Sequence, residues 1–189
     1  MKKYLILVKH SLPEIVENMP AREWELSEAG RVLAQKLAVR LNRYQPKVII
    51  SSVEPKAKQT AEMIAAKHNL DLQLVEGLHE HDRSKVGYLP KDEFQAAVRE
   101  FFEKPAALVF GSETADACHA RFEQAVVRSI MDQNLDKTVV IVAHGTVISL
   151  FVSRLTGIAD WLLWNDLALP SFVVVNVQSA ELIERENIL

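Results

Sequence analysis

Cysteine is nearly absent, with Cys118 the only one in 189 residues. An intramolecular disulfide and a cysteine-rich zinc centre are thereby excluded. The lone thiol suits a reducing compartment and reads as a small apolar residue on a helix face rather than a nucleophile. Glycine is sparse too, at six residues, and no Gly- or Ser-rich linker, internal repeat or low-complexity tract divides the chain. No apolar run approaches the ~20 residues that span a bilayer. Basic charge has no surplus: 22 Lys and Arg face 25 Asp and Glu, for a formal net charge of −3. A grip on a nucleic-acid backbone is therefore not expected. The N-terminus, M-K-K-Y-L-I-L-V-K-H, breaks its apolar stretch at Lys9 and His10, too early for a signal peptide. The expectation is a soluble, cytoplasmic protein with neither a membrane nor a nucleic-acid partner.

What is present is globular. Hydrophobic residues make up 49% and charged residues 25%, which rules out disordered, collagen-like and coiled-coil chains. The length fits one domain, taken as residues 1–189. Tyr4–Val8, Lys47–Ile50 and Thr138–Ala143 are short continuous apolar runs, the pattern of strands buried on both faces. Between them, Ser27 reads as the N-cap of a helix over Glu28–Asn42, with Leu33, Leu37 and Leu41 inward. Pro55 opens a second helix that ends near Asn69. Asp71–Val75 reads as a short strand, Thr114–Met131 as a helix, and a further helix follows Gly145. Phe172–Val177 and Ala180–Arg185 close the chain as strands. This alternation predicts an α/β fold: a three-layer sandwich with a mostly parallel central sheet and helices on both faces. Residues 77–112, with an amphipathic stretch over Lys91–Glu103, read as a helical lid insertion over the loop end of the sheet.

In open α/β sheets, ligands bind beyond the carboxyl ends of the strands. His10 follows the first strand, Ser51, Ser52 and Lys56 follow the second, and His144 and Gly145 follow Thr138–Ala143. If those strands are neighbours, two histidines and two lysines, Lys9 and Lys56, converge near helix N-termini. Free N–H groups and partial positive charge there favour an anion, with phosphate the best fit. An imidazole can attack phosphorus, carry the phosphoryl group and release it to water. From placement alone the reading is an anion site.

The ordered set of motifs resembles the histidine phosphatase superfamily, the phosphoglycerate-mutase-like fold. L-V-K-H-S (Leu7–Ser11) looks like its R-H-G signature, and W-E-L-S-E-A-G (Trp24–Gly30) like its L-T/S-x-x-G helix start. S-S-V-E-P-K-A-K-Q-T-A (Ser51–Ala61) resembles its S-S-x-x-x-R-A-x-Q-T-A element, and L-H-E (Leu78–Glu80) its L-x-E. G-S-E-T-A-D-A-C-H-A-R (Gly111–Arg121) is similar to its G-E-S…R stretch with Ser and Glu exchanged. V-V-I-V-A-H-G-T-V-I (Val139–Ile148) resembles its strand ending in H-G.

The resemblance implies roles. His10 is the expected nucleophile and His144 contacts the phosphoryl group. Lys9 and Lys56 stand where the family places two phosphate-gripping arginines. Glu80 is the expected general acid, then the base for water. Gly145 lets the chain approach the phosphate closely, and Ser11 replaces a glycine, adding a contact or crowding the pocket. Lysine keeps the charge but loses the bidentate fork, so phosphate binding is expected to be weaker or differently tuned.

The implied activity is that of a metal-independent phosphatase acting through a phosphohistidine, on a small phosphorylated metabolite or a phosphoprotein. The alternatives are mutase-type phosphoryl transfer and a non-catalytic phosphate-binding module. L-H-E-H-D-R lacks the N-E-R-H-Y-G run of the mutases. His79-Glu80-His81-Asp82 offers a rival metal site, but alternate strand residues share a face, leaving two histidines together where a catalytic zinc takes three protein ligands. No metal or cofactor is expected. Trp161 and Trp164 read as packing residues, and a homodimer is left open.

Overall fold

The computed structural model describes residues 4–83, 85–131 and 138–189. Residue 84, inside the expected lid, lies outside the described residues.

Six strands form one mixed sheet. They are β1 (Leu5–Lys9), β2 (Val48–Ser51), β3 (Leu72–Leu74), β4 (Val139–Ala143), β5 (Ser171–Asn176) and β6 (Glu181–Asn187), in the order β3-β2-β4-β1-β5-β6. β3, β2, β4 and β1 run parallel, whereas β5 and β6 are antiparallel additions. The helices are α1 (Glu28–Arg40), α2 (Pro55–His68), α3 (Lys91–Glu103), α4 (Ala115–Met131), α5 (Gly145–Thr156) and α6 (Asp160–Asp166).

Strand periodicity sorts the core into two layers. Ile6 and Val8 of β1, with Ile49, Val140, Val142, Phe172 and Val174, pack under Leu37 of α1 and Ala57, Ala61 and Ile64 of α2. Leu5 and Leu7, with Ile50, Ile141 and Val173, face the opposite way, against α3, α4, α5 and α6. The uninterrupted apolar runs follow from burial on both faces, as expected of a sheet covered on each side.

The helix boundaries have local causes. Ser27 Oγ accepts the Gly30 N–H at 3.0 Å and caps α1. Pro55 sits in the first turn of α2, and Asn69 ends it with φ 53° in the left-handed region that Asn tolerates. α1 closes at Arg40 into a 3₁₀ turn, so Leu41 is buried beyond the helix proper; Leu33 is only half-buried, and Ala34 and Ala38 complete the stripe. α3 covers the amphipathic stretch and buries Val98, Phe101 and Phe102. Sequence periodicity missed α6, two turns long, whose Trp161 and Trp164 stack 5.4 Å apart against the core. Among the described residues, no helix is long and apolar enough to cross a membrane.

β4 lies between β1 and β2 although it comes much later in the chain. After β1 the chain passes through α1 and α2 on one face; it reaches β4 from α4 on the other. This reversal opens a crevice at the carboxyl ends of β1, β4 and β2.

Candidate active site

His10, His144 and Ser52 follow directly on those three strands, and ladder bonds continue past the strand ends to hold them. The His10 N–H donates to Ala143 O at 3.0 Å and the Ser52 N–H to Val142 O at 2.9 Å. The His10 and His144 rings lie 5.1 Å apart, edge to face at 64°. The expected convergence is present.

His10 Nδ1 lies 2.8 Å from the Ser11 carbonyl oxygen. A carbonyl only accepts, so the proton sits on Nδ1 and Nε2 keeps its lone pair. Burial, then the fields of His144, Lys56 and Lys9, hold the His10 pKa well below its usual value, with the Ser11 carbonyl opposing. The ring is neutral at neutral pH, the state a nucleophile needs.

His144 is fully buried, and its Nε2 meets Ser52 Oγ at 2.9 Å. Ser52 Oγ also accepts the Glu54 N–H at 3.3 Å, and a hydroxyl can still donate to Nε2 or accept from it. His144 Nδ1 has no hydrogen-bond partner among the described residues. Burial and then Lys56 push the His144 pKa well down as well. Both rings are thus held neutral, each with one N–H and one lone pair.

Two cations flank the rings. Lys9 Nζ donates to Leu167 O at 2.6 Å, and burial pushes its pKa down to about 8 against the pull of Glu80. Gly145 explains that placement: a Cβ there would stand 3.0 Å from Lys9 Cε and 3.3 Å from Nζ. Lys56, only 5% exposed, donates to Ala21 O at 2.6 Å and to Glu54 Oε2 at 2.5 Å. Lys9, Lys56 and Gly145 are therefore gathered where the sequence placed them.

Glu80 is at the site, in a specific resting role. Its Oε2 accepts the Thr146 N–H at 3.1 Å and its Oε1 the Val147 N–H at 3.3 Å. It caps the first turn of α5, where N–H groups lack partners within the helix. Burial works to raise its pKa, but His144, Arg83 and the His81 and Thr146 N–H groups outweigh it and hold it low.

Ser11 serves differently from the expectation. Its hydroxyl donates to Gly30 O at 2.7 Å and its N–H to Thr60 Oγ1 at 3.0 Å. The side chain is fully buried in the scaffold. It adds no contact to the crevice and does not crowd it; the Ser11 carbonyl is what serves the site, by fixing His10.

Several contributors were not anticipated. Arg121 donates to the carbonyls of Gly77 and His79 at 2.9 Å and of Glu80 at 3.2 Å, and pairs with Glu113 at 2.5 Å. Glu113 Oε1 in turn accepts the Asp82 N–H at 3.1 Å. This pair braces the loop that presents Glu80. Its signal was the G-S-E-T…R stretch, which carried the resemblance without a role. Arg83 sits 4.6 Å above the Phe94 ring of α3 and bears on Glu80 and His144 electrostatically. Glu54 is buried beside Lys56 and had no reading in the sequence beyond its place in the S-S-V-E-P-K motif. Among the described residues no group of three or more His, Cys, Asp or Glu is placed to hold an ion. His81 instead packs on Phe101, ring centroids 4.2 Å apart. Cys118 is buried with its thiol pKa pushed up by burial, as an apolar residue of α4.

Paired imidazoles, two lysines and a helix N-terminus at the carboxyl ends of the parallel strands β1, β4 and β2 make a site suited to an anion in an α/β protein. The chain belongs to the histidine phosphatase superfamily (branch 1), whose family model matches residues 5–183. Mycobacterial glucosyl-3-phosphoglycerate phosphatase shares 23% identity, with 91% of this chain and 89% of that one covered and a TM-score of 0.74. Phosphoserine phosphatase from Entamoeba histolytica, solved with 3-phosphoglyceric acid, shares 20% identity, covering 98% of each chain at a TM-score of 0.78. Alpha-ribazole phosphatase from Shigella flexneri shares 20%, covering 92% and 91%, at 0.66. No curated protein matches the chain. Family membership and these phosphatase folds support a phosphatase enzyme.

Proposed function

We propose that the protein hydrolyses phosphomonoesters of small metabolites without a metal, through a phosphohistidine on His10. The observation that carries this reading is the neutral His10 ring, its Nε2 lone pair free, set against His144 between Lys9 and Lys56. In the first step Nε2 attacks phosphorus while the bond to the leaving oxygen breaks, and Glu80 gives that oxygen its proton. In the second step a water attacks phosphorus as the P–N bond breaks, and Glu80 takes the water's proton. His10 and protonated Glu80 are regenerated. Lys9, Lys56, His144 and the α5 N-terminus balance the charge on the equatorial oxygens.

Glu80 begins ionised because α5 N–H groups hold it. A phosphoryl anion seated there competes for those N–H groups and repels the carboxylate, and both effects favour protonation. Substrates of the structural neighbours, such as phosphoserine and phosphoglycerate derivatives, supply the class to screen first.

The test is turnover of an aryl phosphate in excess chelator, with acid-lability and base-stability of the label as the mark of phosphohistidine. Turnover that persists in chelator and disappears, together with the label, in His10→Ala supports the reading. A label retained in His10→Ala moves the nucleophile elsewhere. Phosphate binding without turnover in the native protein makes it a binding module.

A further inference from the structure

Glu54 is an acidic residue built into an anion site. It stands at the N-cap of α2, yet its side chain caps nothing there. N-cap carboxylates ordinarily accept an N–H of the first turn. The Glu54 carboxylate instead turns into the crevice and is 7% exposed. Its Oε2 takes the Lys56 ammonium at 2.5 Å. Its Oε1 accepts the Glu80 N–H at 2.9 Å and lies 3.7 Å from His144 Nε2.

The groups on Glu54 are Lys56 of α2, His144 before α5, and His79 and Glu80 of the loop before α3, while Lys9 at the end of β1, His10 after it and Arg83 bear on the neighbouring Glu80 and His144. With the histidines neutral, Lys9, Lys56 and Arg83 oppose Glu54 and Glu80. The crevice is thus only weakly cationic, and one of its ammonium groups is already matched. A phosphate dianion reaching Lys56 meets a carboxylate that has no hydrogen to offer. A phosphate monoanion brings its own P–OH, which donates to Glu54 while its other oxygens keep the cations.

We infer that Glu54 is a specificity-determining residue that makes this site take phosphoryl groups with one oxygen protonated, in preference to the dianion. The inference rests on the reading of this crevice as the phosphoryl site and goes beyond it in naming the ionic form of the ligand. The ligand class is a phosphomonoester monoanion.

The experiment is calorimetric titration of inorganic phosphate at about pH 5.5, where the monoanion predominates, and at about pH 7.5, where the dianion does. Lys9 stays mostly protonated at both, since its pKa is about 8. Native protein should bind about threefold more weakly at the higher pH, the fall set by the loss of the monoanion to a dianion that faces a carboxylate. Glu54→Gln keeps an acceptor for the Glu80 N–H and gains N–H donors. It should lose most of that drop and bind phosphate more tightly than native protein at the higher pH. A native affinity that does not weaken with pH overturns the inference, whatever the variant does. So does a Glu54→Gln protein whose pH slope matches the native one. Phosphate behaviour as expected with no label on His10 would remove the proposed reaction and leave the inference standing. No phosphate binding at either pH would remove both.

Discussion

The carboxylate of Glu80 accepts the Thr146 backbone N–H at 3.1 Å, which puts the expected acid on the first turn of the helix that follows His144. The contact explains how one carboxylate can be ionised at rest and protonated with substrate present. The N–H groups that stabilise its charge are those a phosphoryl oxygen would claim. Replacing Glu80 by Gln should therefore cost more than a charge. For alkyl phosphates, whose leaving oxygen needs a proton, kcat/KM should fall about 100-fold or more. For nitrophenyl phosphate, whose leaving group departs unaided, the same parameter should fall far less. Equal losses for both substrates would take Glu80 out of proton transfer.

Lys9 gives the site an alkaline limit. Burial brings its pKa down to about 8, so its charge disappears as pH rises through that value. Phosphate affinity should weaken over the same interval, read as a fall in kcat/KM between about pH 7 and about pH 10. Lys9→Arg keeps its charge throughout and should move the alkaline limb upward. An unmoved limb would assign it to another group.

How much of this was legible in sequence depends on range. Strands such as Val139–Ala143 show plainly because burial on both faces leaves no polar residue in the run. Caps at Ser27, Pro55 and Asn69 act within a few residues and are equally readable. Neighbouring strand ends made His10 and His144 legible as a pair only conditionally, since nothing local says that β4 inserts between β1 and β2. What was hidden is side-chain direction. Ser11 lies beside the nucleophile in the chain but turns its hydroxyl to Gly30. Glu54 precedes a helix, where carboxylates usually cap, yet it turns inward to Lys56. Arg121 is 41 residues from the Glu80 carbonyl it holds, a separation no periodicity spans.

Two glycines should separate function from folding. At Gly145 a methyl group meets the flexible end of Lys9, and alanine suits a first helical turn. Gly145→Ala should keep the native melting temperature or raise it slightly, while phosphate affinity drops several-fold as Lys9 is pushed aside. At Gly30 a methyl group would stand 2.0 Å from the Leu12 carbonyl oxygen, which is backbone and cannot swing away. Gly30→Ala should destabilise by roughly 1–3 kcal/mol, the cost of forced overpacking. A Gly145→Ala protein that unfolds early, or a Gly30→Ala protein of native stability, would contradict these placements.

Acid should weaken the fold through its histidines. All six have pKa values held below the ordinary 6.5, with burial the first cause in each case. Above that value the folded and unfolded chains are both neutral at these sites, and the histidines leave stability unchanged. Below it the unfolded chain takes up protons that the folded chain resists, so stability falls as pH falls. For a deeply buried ring such as His144 the slope is about 1.4 kcal/mol per pH unit until the folded site also protonates. The carboxyls of Glu80 and Glu113 are held below their usual 4.5 and add their own loss only at lower pH. Urea midpoints should hold steady above about pH 6.5 and drop toward pH 5, and His144→Gln should flatten that drop relative to its own value at neutral pH. A midpoint constant across the interval would mean that the rings protonate in place, at odds with their burial.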